Sequence, residues 1–169
     1  ESDVVLKTLA GPEISVASTK AYTTQLAVLL CLSVDWAQKR KFLDRTKAFE
    51  IMDELSRLPT ALAEVLADKE RWNACAHELA GARDVIYLGR GLNFPTALEG
   101  ALKLKELSYI HAEGHAAGEM KHGPIALLDE GMPVVMVAPY DEWFDKTASN
   151  LKEALARGGR VVLLSDKKG

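Results

Sequence analysis

After Gly81 the chain changes rhythm, and that change limits the fold more than any other feature: short continuous apolar runs begin to alternate with helical patterns. Val85-Ile86-Tyr87-Leu88 reads as a strand, Asn93 to Ile110 as a helix, Pro133 to Ala138 as a strand, Glu142 to Ala156 as a helix and Arg160 to Ser165 as a strand. Strands that are apolar at nearly every position are covered on both faces, and a helix between successive strands supplies the crossover that a parallel sheet requires. The pattern therefore predicts an α/β fold, a parallel sheet flanked by helices. In such sheets ligands sit beyond the carboxyl ends of the strands, which directs attention to the loops after Leu88 and Ala138.

Upstream the pattern is helical. Ser18 or Thr19 is expected to cap a helix running to Lys39, with Lys39, Arg40 and Lys41 suited to its negative end. The longest apolar stretch, Leu26 to Val34, is too short to cross a bilayer, is followed by Asp35, and reads as a buried helix. From Thr46 to about Ala82 apolar residues recur at helical intervals, with Pro59 expected to mark a helix boundary. Val4-Val5-Leu6, before the turn-prone Ala10-Gly11-Pro12, reads as a short strand. The expected organisation is the end of one fold unit over 1–40, connecting helices over 41–80 and a second unit over 81–169.

Composition excludes partners rather than naming them. The chain has 169 residues and a formal net charge of -3 with both signs interspersed, so no basic track suits a nucleic-acid backbone. Cys31 and Cys75 sit in helical patterns without a second cysteine or histidine at metal spacing, as buried thiols in a reducing compartment do. The start at Glu1, with no basic-then-apolar leader, reads as that of an excised fragment without a targeting signal.

Three segments contain candidate chemistry. Gly89-Arg90-Gly91-Leu92-Asn93-Phe94 begins like a dinucleotide fingerprint, but Phe94 stands where the third glycine belongs, so a tight turn into the next helix explains the glycines without a cofactor. In that helix Glu99, Lys103 and Glu106 fall on one stripe, while Leu98, Ala101, Leu102, Leu104, Leu107 and Tyr109 take most of the remaining circumference. A helix this apolar is expected to be buried, and charges on it must pair or line a wet cavity. Glu106 suits a general base for a carbon-bound proton, and Lys103, one turn away, suits an oxyanion; the alternative is an ordinary Glu99–Lys103 surface pair.

The third segment, His111-Ala112-Glu113-Gly114-His115-Ala116-Ala117-Gly118-Glu119-Met120-Lys121-His122-Gly123-Pro124, contains three of the four histidines of the chain. His111 and His115 are spaced as in helical zinc sites, but Ala112 replaces the glutamate of the zinc-protease pattern and Gly114 weakens a helix, so no metal is expected. The glycines let the segment from Gly114 to Pro124 approach a small ligand as a loop and present His122 as an acid or base.

Taken together, ALEGALKLKELSYIHAEGHAAGEMKHGPIALLD and GPEISVASTKAYTTQ resemble the isomerase half of the glucosamine-6-phosphate synthase family, over nearly the whole chain. That half has two sugar isomerase (SIS) subdomains with a flavodoxin-like three-layer sandwich. The resemblance implies conversion of fructose 6-phosphate, with glutamine-derived ammonia, to glucosamine 6-phosphate in the cytoplasm, without a cofactor. It implies that Glu106 is the base moving a proton from C1 to C2, that Lys103 assists, and that His122 opens the ring. It further implies that Val16, Ala17 and Ser18 contact the sugar, that the enzyme is a homodimer whose His122 reaches the neighbouring subunit, and that a glutaminase domain belongs to the parent chain. A non-catalytic sugar-phosphate sensor and an SIS-type deaminase or isomerase remain as alternatives.

Overall fold

The computed structural model describes residues 2–166, and the chain divides into two compact units, Glu1–Lys69 and Glu70–Gly169.

In the first unit α1 spans Lys20–Lys39 and α2 spans Arg45–Ala67. The N-terminus of α1 is not closed as the sequence suggests. Thr19 occupies the cap position without a capping side-chain bond; instead the Glu13 carboxylate reaches back and accepts from the Thr19 amide, the Thr19 hydroxyl and the Ala21 amide at 3.2, 3.2 and 3.1 Å. A carboxylate supplied from outside the helix thus satisfies free amides and the positive helix end together. These bonds, that to Ala21 first, hold the Glu13 carboxyl below its ordinary range.

Three further expectations for this unit are corrected. Pro59 does not end a helix: α2 runs through it, although proline has no amide to donate to the Leu55 carbonyl. Val4 to Leu6 carries no strand among the described residues, because no neighbouring strand offers these residues a ladder. The apolar stretch of α1 is helical but not buried: Leu29 is 57% exposed, and only Val34 in that helix is buried.

The second unit contains the sheet. Helix α3 (Lys69–Leu79) leads into β1 (Asp84–Gly89), α4 (Asn93–Ser108), β2 (His111–Ala116), two 3-10 segments (Ala117–His122 and Pro124–Leu127), β3 (Pro133–Val137), α5 (Phe144–Ala156) and β4 (Arg160–Leu164). The four strands pair in parallel in the order β2-β1-β3-β4, with Asp84 opposite His111, Ile86 opposite Val134 and Val134 opposite Val161. This is the predicted parallel α/β architecture.

Alternation along the strands divides the core in two. Val85, Tyr87 and Val135 pack with Ala97 and Ala101 of α4 on one face; Ile86, Leu88, Val134 and Met136 pack with Ala117, Met120 and Ala154 on the other. So α4 covers one face, and the 3-10 segments with α5 cover the opposite one.

Helix α4 lies close to the sheet because small residues face it. A Cβ on Gly114 of β2 would come within 2.8 Å of the Leu98 Cα, and one on Gly100 within 2.8 Å of the Tyr87 ring. This corrects the expectation that α4 is buried by its leucines. Only Ala97 and Ala101 are buried, whereas Leu98, Leu102 and Leu107 are 44%, 41% and 61% exposed.

The stretch from His111 to Ala116, whose last three residues were expected in a loop, is an edge strand. Main-chain pairing to β1 fixes it, and no run of β-branched residues announces it in the sequence.

Candidate active site

Ala97, Ala101 and Leu104 turn toward the sheet, so at about 100° per residue Glu99, Lys103 and Glu106 lie across the helix from it. There the Lys103 ammonium bridges two carboxylates, 2.6 Å from Glu106 Oε2 and 3.3 Å from Glu99 Oε1. The three side chains are only 22%, 23% and 31% exposed for Lys103, Glu99 and Glu106 respectively, so this is not the exposed Glu99–Lys103 pair set against it. The hydrogen bond to Glu106, ahead of the weaker one to Glu99, raises the Lys103 pKa above its ordinary value and keeps it a cation at neutral pH. Glu106 Oε1 meets no partner among the described residues. One carboxylate oxygen is therefore fixed and the other is unengaged.

His122 ends the first 3-10 segment and is exposed; its ring meets no hydrogen-bond partner among the described residues. The sheet stands between it and Glu106, because the 3-10 segment packs on the α5 side and α4 on the other. The ends differ as well: Glu106 is in the last turn of α4, just before β2 begins, and His122 lies six residues after β2 ends. A single chain does not bring these two groups together.

The other two histidines of the cluster have local roles. His111 Nδ1 lies 2.9 Å from Asp84 Oδ1 across the β1–β2 register, and its Nε2 lies 3.4 Å from Glu113 Oε1. His115 Nε2 is 3.3 Å from Glu113 Oε2, close enough for ionic attraction but off hydrogen-bond geometry, and it has no hydrogen-bond partner among the described residues. Among the described residues no group of three histidine, cysteine or acidic side chains is arranged to hold a metal ion.

In the first unit Val16 is 92% exposed, Ala17 is buried and Ser18 is half-buried, in the loop that Glu13 ties to the start of α1. The loops after β1 and β3, where a parallel sheet ordinarily takes its ligand, are tied to each other by side chains. Asn93 Nδ2 donates to Asp141 Oδ2 at 2.9 Å, and Trp143 approaches Gly91, whose φ of +55° a side chain would rarely adopt. A cleft of about 550 Å³ opens at the amino ends of the strands, lined by Arg83, Asp84, His111, Met132 and Arg160.

An SIS domain model matches residues 78–169, more than half of the chain. The chain belongs to the SIS domain family. Over its full length it is 56% identical to the glutamine--fructose-6-phosphate aminotransferase [isomerizing] of Bartonella henselae and 56% identical to that of Mesorhizobium japonicum. In both cases it spans all of this chain and 28% of the relative. The C-terminal domain of the glucosamine-fructose-6-phosphate aminotransferase from Francisella tularensis superimposes with a TM-score of 0.96 at 45% identity, over 99% of this chain and 48% of that one. The chain is thus similar to part of the SIS region of these aminotransferases. What the SIS sequence pattern did not reveal is the Lys121–Glu153 ion pair at 2.8 Å, whose only signal is two opposite charges far apart in sequence.

Proposed function

We propose that this chain is a portion of the fructose 6-phosphate isomerase region of a glutamine-dependent glucosamine-6-phosphate synthase. The observation that carries the reading is the Lys103 ammonium held between Glu99 and Glu106 with Glu106 Oε1 unengaged. Ammonia condensed on C2 of the open ketose gives an imine. Glu106 takes a proton from C1, the C–H electrons become the C1–C2 double bond, and the imine nitrogen gains a proton. Return of the proton to C2, with loss of the C1 hydroxyl proton, leaves an aldehyde at C1 and an amine at C2. Lys103 supplies a fixed positive charge beside the base and the developing oxyanion, and general acid–base help of this kind is worth about 10²- to 10⁴-fold.

His122 is assigned to ring opening and, because the sheet separates it from Glu106 in its own chain, to the centre of a second copy. A homodimer follows. Val16, Ala17 and Ser18 are assigned to contacts with the sugar. The glutaminase activity belongs to a further domain of the parent protein, and the whole works in the cytoplasm; among the described residues no helix is long and apolar enough to cross a membrane. By organisation we assign 1–40 to the end of a first SIS subdomain, 41–80 to connecting helices and 81–169 to a second.

The test is Glu106→Gln in the full-length parent. Sugar-phosphate affinity by calorimetry stays within a few-fold, while glucosamine 6-phosphate formation falls by at least about 100-fold. Undiminished product formation would show that another group is the base.

A further inference from the structure

An exposed histidine on a turn between Gly118 and Gly123 needs a fixed origin if it is to act on a bond in another subunit. The residues around His122 supply one. Met120, 1% exposed, is sunk in the core on the α5 side of the sheet. Lys121, the residue directly before His122, places its Nζ 2.8 Å from Glu153 Oε1 of α5, and the other oxygen, Oε2, accepts from Asn150 Nδ2 at 3.3 Å. Asn150 is only 8% exposed and is one helical turn from Glu153, so the acceptor carboxylate is itself held from below. Gly123, with a φ of +149°, then turns the chain away.

From this geometry, and resting on the assignment of His122 made above, we propose that Glu153 is a positioning residue for ring opening: by clamping Lys121 it fixes the turn that presents His122 to the substrate. It touches no reacting atom. In the step it serves, the C2 hydroxyl of the cyclic sugar loses a proton, the C2–O5 bond breaks and O5 takes a proton, leaving the open ketone. The clamp contributes little to overall stability, because Lys121 is 61% exposed and such pairs are weakened by solvent. The carboxyl of Glu153 is held below its ordinary range, first by its bond to Lys121, so this carboxylate stays charged at neutral pH.

The two roles, structural and positional, separate by substrate. Fructose 6-phosphate closes its ring through O5, whereas 5-deoxyfructose 6-phosphate lacks that hydroxyl, stays open and needs no ring-opening acid. In the full-length dimeric parent, Glu153→Gln is expected to lower kcat on fructose 6-phosphate by roughly tenfold, in line with small displacements of a catalytic group. On the 5-deoxy compound its kcat stays within twofold of the parent, its melting temperature stays near the parent's, and Glu153→Asp restores most of the loss. His122→Asn gives the same selective pattern with a larger loss.

Equal loss on both substrates, or no loss on either, overturns the role of Glu153. If His122→Asn loses the ring-dependent activity and Glu153→Gln does not, the positioning role alone fails. If His122→Asn shows no preference between substrates, the assignment of His122 fails and the clamp falls with it.

Discussion

The two units handle apolar residues in opposite ways. In Glu70–Gly169 the two central strands, β1 and β3, bury nearly every side chain, with Leu88, Val134 and Met136 at 0% exposure, and the sheet is covered on both faces. In Glu1–Lys69 the apolar faces of α1 and α2 remain largely open, with Leu29 57% and Phe49 72% exposed. Among the described residues only Ala17, Val34 and Ala48 are buried hydrophobics there. The first arrangement is a core that stabilises itself, while the second is a set of helices whose exposed apolar area is of the kind that marks an interaction surface. Periodicity alone does not distinguish them, because a helix patterned for burial looks the same whether its cover comes from within the unit or from elsewhere.

The sharpest way to break this contrast is a matched pair of substitutions. Leu88→Ala, at the centre of the sheet, is expected to cost about 2–5 kcal/mol in denaturant unfolding, and Phe49→Ser in α2 no more than about 0.5 kcal/mol. Comparable costs at the two sites would mean that the helical unit has a core of its own. Next in size is Gly114→Ala. The added methyl meets the backbone of Leu98, which cannot rotate aside, so about 1–3 kcal/mol of stability is lost; an unchanged unfolding midpoint would mean that α4 moves freely off the sheet.

The smallest effect is expected at the start of α1. The folded-state pKa of Glu13 lies below its ordinary value of 4.5, so the stability it contributes is present above that pH and is lost as the pH falls through the folded value. The protection of the Thr19 and Ala21 amides, taken relative to the intrinsic exchange rate at each pH, should fall on acidification below about 4.5 in the parent. In Glu13→Gln that protection should be low already and unchanged with pH; a parent whose protection is equally unchanged would remove Glu13 as the cap.

The sheet was legible because burial on both faces writes itself as continuous apolar strands, and the crossover rule then leaves few topologies. Val85–Leu88, Pro133–Ala138 and Arg160–Ser165 were recoverable to within a residue or so for that reason. The charged stripe of α4 was legible from helical spacing, but its surroundings were not. The sheet side is taken by Ala97, Gly100 and Ala101, a choice of small residues that reads in sequence as indifference rather than contact. The cap of α1 was misassigned because Glu13 acts from six residues away, beyond the reach of local capping rules. Pro59 misled because the average cost of proline in a helix says nothing about a helix able to bear it. The separation of Glu106 from His122 is a property of crossovers and faces, visible only once the strand order is known.

Strand β2 invites one last consequence. It pairs with β1 on one side only, so its outer row of backbone donors and acceptors is the kind of template on which a foreign strand can nucleate. His111, Glu113 and His115 occupy alternate positions along it, with Gly114 between, and this is poor material for a cross-strand match. The composition that hides β2 from a reader of sequences also discourages sheets from fusing edge to edge, and replacing these three residues by valines would make the strand easy to recognise and the protein prone to aggregate.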